Sequence, residues 1–154
     1  MGRIAAVLVY ALRDRQVLLL RRNKQPNLGL WIAPGGKIEN DESPHEAARR
    51  ELAEETGLTA VDLTWRGLCT EVSPLPDWQW LLFIYVTRQF SGDLRPDLRE
   101  GELAWVDLDT YFHDLPIPEA DRIFAPRILE TDTGMFEAKF VYDATLTLVE
   151  WVVY

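Results

Sequence analysis

The sequence predicts an α+β chain of the α/β/α sandwich kind, and three observations carry the prediction. Ile4-Ala5-Ala6-Val7-Leu8-Val9-Tyr10 is a near-continuous apolar run, as expected of a strand buried on both faces. Residues 44–56 read as a helix punctuated at both ends. Strands and helices then succeed one another without regular βαβ alternation. With 154 residues, 47% of them hydrophobic and 27% charged, the chain has the size and composition of one globular domain, expected to span 1–154.

In chain order, Arg13-Asp14-Arg15 is a polar turn, and Val17-Leu18-Leu19-Leu20 is a second strand that pairs back on the first as a hairpin. Arg21, Arg22, Asn23 and Lys24 follow, a positive cluster that is either solvated or in contact with substrate phosphate or ribose. Pro26, Asn27 and Gly29 make residues 25–30 a loop, after which Trp31-Ile32-Ala33-Pro34 leads into two glycines. Trp31 is a candidate for stacking on a base, with packing beneath the loop as the favoured role. The helix over 44–56 starts with Ser43 as N-cap, Pro44 in the first turn and Glu46 closing a capping box. Gly57 caps its C-terminus, and Ala48 and Leu52 give it an apolar stripe.

Residues 60–72 and 78–89 read as two long strands joined by the hairpin connection Ser73-Pro74-Leu75-Pro76-Asp77. The second alternates imperfectly, so one face belongs in the core and the other lines a cleft. Residues 90–99 read as a polar loop, 103–106 as a strand, and 108–115 as a turn with a short helical piece. A helix runs from Pro118 to about Leu129, with its acids at the favoured end of the dipole. Two strands, 136–142 and 145–153, close the chain across Asp143-Ala144.

The chemistry is concentrated on the first helix. Glu51, Glu54 and Glu55 stand three and four residues apart, so their side chains meet on one patch. Like charges at this spacing repel by roughly 0.2–0.5 kcal/mol per pair, and a divalent cation is the natural compensation. A solvated acidic face is the ordinary reading of such a triplet taken alone. Its neighbours change the balance: Arg50 can neutralise or orient a carboxylate, and Gly35-Gly36 lets the backbone approach a ligand closely. Together they point to a metal and a phosphate-bearing substrate, with Lys37 beside the glycines and Arg22 upstream as substrate-contact candidates.

Gly36, Glu42, Arg50, Glu51, Leu52, Glu54, Glu55, Gly57 and Leu58 fill the nine defined positions of a pattern that resembles the Nudix box. The resemblance implies a mixed sheet flanked by helices and hydrolysis of a nucleoside diphosphate linked to another group. It implies Mg2+ or Mn2+ on Glu51, Glu54 and Glu55, with the Gly35 carbonyl as backbone ligand and Glu100 or Glu102 completing the site. The chain is similar to the MutT-like branch, which implies a nucleoside triphosphate pyrophosphohydrolase of the oxidised-purine, house-cleaning kind, with Glu54 the first candidate for general base. The segment Ile117-Pro118-Glu119-Ala120-Asp121 makes Glu119 and Asp121 candidates for a base edge, although the tryptophan and the adjacent acids of the related segment are absent. The alternatives are hydrolysis of ADP-ribose or another dinucleotide or nucleotide sugar, and nucleotide binding without turnover. The resemblance also admits a homodimer.

A net charge of −9 argues against a sequence-independent grip on nucleic-acid polymers, leaving a small nucleotide as the expected partner. The single cysteine, Cys69, leaves no intrachain disulfide and fits a reducing compartment, so the cytoplasm is expected. The apolar run at the start is too short for a membrane span. His45 and His113 have no metal-ligand spacing, and no Ser-His-Asp or Cys-His set is readable.

Overall fold

The computed structural model describes residues 2–95 and 101–154, so Glu100, a candidate metal ligand, lies outside the described residues. The elements are β1 Ile4–Arg13, β2 Gln16–Arg22, β3 Trp31–Ile32, β4 Gly35–Lys37, α1 Pro44–Thr56, β5 Thr59–Ala60 and β6 Thr64–Val72. There follow β7 Trp80–Thr87, β8 Phe90–Ser91, β9 Gly101–Asp107, α2 Leu108–His113, α3 Glu119–Leu129, β10 Phe136–Tyr142 and β11 Leu148–Val153.

The main sheet runs β11-β10-β6-β7-β1-β2-β3, with β4 added to β1 and β9 to β2. It is mixed: β1 pairs parallel with β7 and β6 parallel with β10, and its other pairings are antiparallel. The period-two alternation of a strand divides β1 between two cores. Val7, Val9 and Ala11 pack with Ala47, Ala48 and Leu52 of α1. Tyr10 and Leu12 pack on the other face with Phe124 and Ile128 of α3 and with Phe140 of β10. The result is the expected α/β/α sandwich around a mixed sheet.

Helix α1 forms as its punctuation predicts. Ser43 Oγ accepts from the Glu46 amide at 3.1 Å, while the Glu46 carboxylate accepts from the Ser43 amide at 3.0 Å. Gly57 ends the helix in the left-handed region at φ 85°, where a Cβ would also meet Asp93 O at 2.7 Å. Strand β4 approaches β1 so closely that a Cβ on Gly35 would lie 2.0 Å from Val7 O. Glycine is the residue that lets the loop strand lie on the sheet at this point.

Two expectations are corrected. Residues 60–72 do not form one strand: β5 and β6 are separated at 61–63, where Asp62 turns to accept hydrogen bonds from Thr87 Oγ1 and the amides of Arg88 and Gln89. The stretch after β7 is not all loop, because Phe90–Ser91 pairs antiparallel with Thr59–Ala60 in a small second sheet. Asp62 thereby ties the break at 61–63 to the end of β7, a long-range contact of which local pattern carries no sign. A consequence of the cap on α1 can be tested: Ser43→Ala should destabilise the fold by about 1 kcal/mol in urea unfolding, and unchanged stability would contradict the capping box.

Candidate active site

Arg50 stands at the centre of the acidic patch, on the side of α1 that faces β4. Its Nε and Nη2 bind the two oxygens of Glu42 at 2.6 and 2.8 Å, a bidentate pairing. Its Nη1 donates to Glu51 Oε1 at 2.8 Å and to Glu54 Oε2 at 3.2 Å, and its Nη2 also reaches Lys37 O at 3.2 Å. One guanidinium thus ties the loop before α1, strand β4 and two helix carboxylates together. The Arg50 side-chain hydrogen bond holds the Glu42 carboxyl down at about 2.

The three box glutamates sit in different surroundings. The Glu51 side chain is only 13% exposed, and burial pushes its pKa up against the pull of Arg50. Glu54 is 61% exposed and held by the longer bond to Arg50. Glu55 accepts the Gly35 amide at 3.2 Å, linking helix to glycine strand. Gly36 makes room for this arrangement, since a Cβ there would lie 2.5 Å from Glu51 Oε1.

Among the described residues no three His, Cys, Asp or Glu side chains converge as a metal-holding group. Glu51 and Glu54 are instead turned onto Arg50, and Glu55 onto the Gly35 amide. The donor chemistry nevertheless fits a divalent ion. Carboxylate oxygens are hard ligands, the cluster has more carboxylates than one guanidinium can neutralise, and Gly36 leaves the Glu51 oxygens uncovered by a side chain.

The other sequence candidates are placed elsewhere. Glu102 is opposite Arg21 in the β2–β9 register and 3.6 Å from its guanidinium, beside Arg22 and Gly29. Arg22 is pinned by Nε to Pro26 O at 2.7 Å. Lys37 is exposed at the end of β4. Trp31 packs partly buried against the core, its amide bonded to Pro116 O.

Glu119 and Asp121 line a cavity of about 540 Å³ on the α3 side of the sheet. Sequence reading missed its other polar groups, Glu71 on β6, Tyr142 on β10 and the Trp80 indole on β7. Asp121 is 7% exposed, and burial, with the nearby Glu71 charge second, raises its pKa well above the usual carboxylate range. Burial pushes Glu71 up to about 7 against a hydrogen bond donated by the Tyr142 hydroxyl at 3.3 Å. The alternation of β7 was the available signal: it puts Trp80 and Leu82 on the cleft face, as expected from its imperfect pattern.

Comparison with known proteins identifies the family. The family model of the NUDIX domain matches residues 2–128, and the chain belongs to that family. It is a Nudix hydrolase, an enzyme that cleaves phosphoric anhydrides in nucleoside diphosphate-linked substrates, and such enzymes generally work with divalent metal ions. In structure it is similar to the mutator MutT protein from Bacillus halodurans, with a TM-score of 0.87 and 28% identity over 97% of both chains. In sequence it is similar to the Nudix hydrolase YvcI of Bacillus subtilis, 29% identical over 90% of this chain and 86% of that one. It is also 30% identical to an 8-oxo-(d)GTP phosphatase of Mycolicibacterium smegmatis, over 71% of this chain but only 34% of that protein.

The contact between Gly36 and Glu51 gives a direct test of the geometry. Gly36→Ala should displace the Glu51 carboxylate and lower kcat by about 10²-fold with an unchanged circular dichroism spectrum. Normal turnover would show that the position of Glu51 is immaterial.

Proposed function

We propose that the protein is a Mg2+- or Mn2+-dependent nucleoside triphosphate pyrophosphohydrolase of the MutT-like, 8-oxo-dGTP-cleaning kind, acting in the cytoplasm. The observation that carries this reading is the carboxylate cluster of α1, gathered on Arg50 beside the glycines of β4. The similarity to an 8-oxo-(d)GTP phosphatase supports the triphosphate as substrate. The buried free thiol of Cys69 is compatible with a reducing compartment.

Water attacks a phosphoryl phosphorus, the anhydride P–O bond breaks, and nucleoside monophosphate and pyrophosphate leave. Divalent metal held by Glu51, Glu54 and Glu55, with the Gly35 carbonyl and Glu100 or Glu102 as further candidate ligands, would polarise the phosphate oxygens and acidify water. Arg50 fixes the carboxylates around it and, through Lys37 O, the strand on which Gly35 lies. Glu51, buried and tightly bonded, is suited to a fixed ligand role. Glu54 is more exposed and less firmly held, which suits the carboxylate that takes the water proton. Arg22 and Lys37 are candidates for contact with the phosphates.

The test is release of nucleoside monophosphate from a panel of ordinary and oxidised nucleoside triphosphates, ADP-ribose and a dinucleoside polyphosphate, with metal and with chelator, pyrophosphate being the co-product from a triphosphate alone. Release from a triphosphate should require metal, and Glu54→Gln or Glu55→Gln should each lower kcat by about 10²–10⁴-fold while the fold is kept. Near-normal turnover with both changes would overturn the assignment, and turnover of ADP-ribose alone would move the substrate to the nucleotide-sugar class.

A further inference from the structure

Strand β11 ends the main sheet, paired with β10 on one side and, among the described residues, with no strand on the other. Helix α3 packs on β10, and α1 packs on β1, β4, β5 and β7. From Val149 onward β11 is left exposed on both faces. A strand with one face in a core alternates apolar and polar residues, and this one does not. Val149, Trp151, Val152, Val153 and Tyr154 are all large and apolar, and their exposures lie between 37 and 73%. Edges that face water are ordinarily blunted by lysine, proline or an irregular register. Residues 148–154 carry one charge, Glu150, and neither lysine nor proline. The one irregularity of the β10–β11 pair lies between Val141 and Tyr142, so the edge from Glu150 onward is regular.

The backbone of this edge is oriented as well. The Tyr154 amide donates to Glu137 O at 3.0 Å, and backbone groups of an antiparallel strand point alternately toward and away from one neighbour. The N–H and C=O groups of Glu150, Val152 and Tyr154 therefore serve β10, while those of Trp151 and Val153 point outward. A partner that satisfies them and also covers both rows of side chains must be a strand that is apolar on both faces and unpaired along one edge. β11 is itself such a strand.

We propose that β11 pairs antiparallel with β11 of a second copy about a two-fold axis at Trp151, making one continuous sheet across a homodimer. A two-fold interface must be its own complement, and this strand meets the condition. With the axis at Trp151, residues 148–154 pair along their whole length, Trp151 beside the partner's Trp151 and Glu150 beside the partner's Val152. The one charged side chain of the strand thus meets an apolar neighbour instead of its own copy, so no like charges are set opposite each other. The same register sets the outward N–H and C=O groups of Trp151 against those of the partner's Trp151, as in a hydrogen-bonded antiparallel pair. Strands β10 and β11 together carry Glu137, Lys139 and Glu150, a net charge of −1 in a chain of −9, so copies that meet here bring little charge together. The exposed residues of β11 amount to on the order of 500 Å² of mostly apolar surface, at the upper end for a patch on a monomer. Two such patches reach about 1,000 Å² before the flanking residues are counted, the lower bound of a specific interface, which places dissociation in the micromolar range.

Sedimentation velocity of the full chain over a concentration series, with Trp151→Lys and Val153→Pro as variants, tests the interface. Trp151→Lys sets two like charges side by side at the axis, and Val153→Pro removes an outward N–H while sparing those that serve β10. Wild type should reach the mass of two chains at tens of micromolar. Each variant should weaken the dimer by about tenfold or more with an unchanged circular dichroism spectrum. Amide hydrogen exchange on wild type alone reads the same interface where a variant does not fold. The Trp151 and Val153 amides should gain protection as concentration rises, while those of Glu150 and Val152 are protected throughout. Wild type that stays monomeric at these concentrations, variants that dimerise as tightly as wild type, or outward amides indifferent to concentration would overturn the proposal. Monomeric wild type that floats with phosphatidylcholine vesicles, and no longer does so as Trp151→Lys, would overturn it in favour of a lipid surface.

Discussion

Everything at the active face depends on placing several carboxylates within reach of one guanidinium. Glu51, Glu54 and Glu55 repel one another on α1, and Glu42 adds a further negative charge from the preceding loop. Arg50 makes the arrangement tenable because its planar fork serves several oxygens at once, which a lysine cannot do. The same guanidinium takes the Lys37 carbonyl, so the charge balance of the helix and the position of the glycine strand are one problem with one solution. The Glu55 link to the Gly35 amide closes the arrangement from the other end.

The sandwich turns this local solution into a site. α1 is docked on one face of the sheet by Ala47, Ala48 and Leu52 packing with Val7 and Val9. The alternate residues of the same strand and of β7 face the other way, where Leu8 and Leu82 line the cavity under α3. A short stretch of chain, from Ile32 through Gly35, passes from that cavity to the carboxylates. The carboxylate cluster and the cavity thus lie on opposite faces of one sheet, a few residues of chain apart.

What was legible in the sequence was local. The Ser43–Glu46 box and Gly57 mark the ends of α1 because capping is settled within a few residues, and both ends fall where the residues put them. The hairpin of β1 and β2 was legible for the same reason, its register being set by a short polar turn. The separation of β5 from β6 was not, because the Asp62 cap reaches partners some twenty-five residues away. The burial of Glu71 was equally hidden: in sequence it is one polar residue in a strand, and only the approach of α3 and β10 sets it beside Asp121 and Tyr142. The pairing of Glu102 with Arg21 was hidden too, because the β2–β9 register that sets the two opposite each other joins strands about eighty residues apart.

The central claim is that the carboxylates of α1 constitute a cation site poised on Arg50, and Mn2+ titration followed by electron paramagnetic resonance tests it without reference to any substrate. Wild type should take up Mn2+, and the combined variant E51Q/E54Q/E55Q, folded by circular dichroism, should leave the ion free in solution. Equal uptake by the two proteins would place the metal elsewhere and contradict the account.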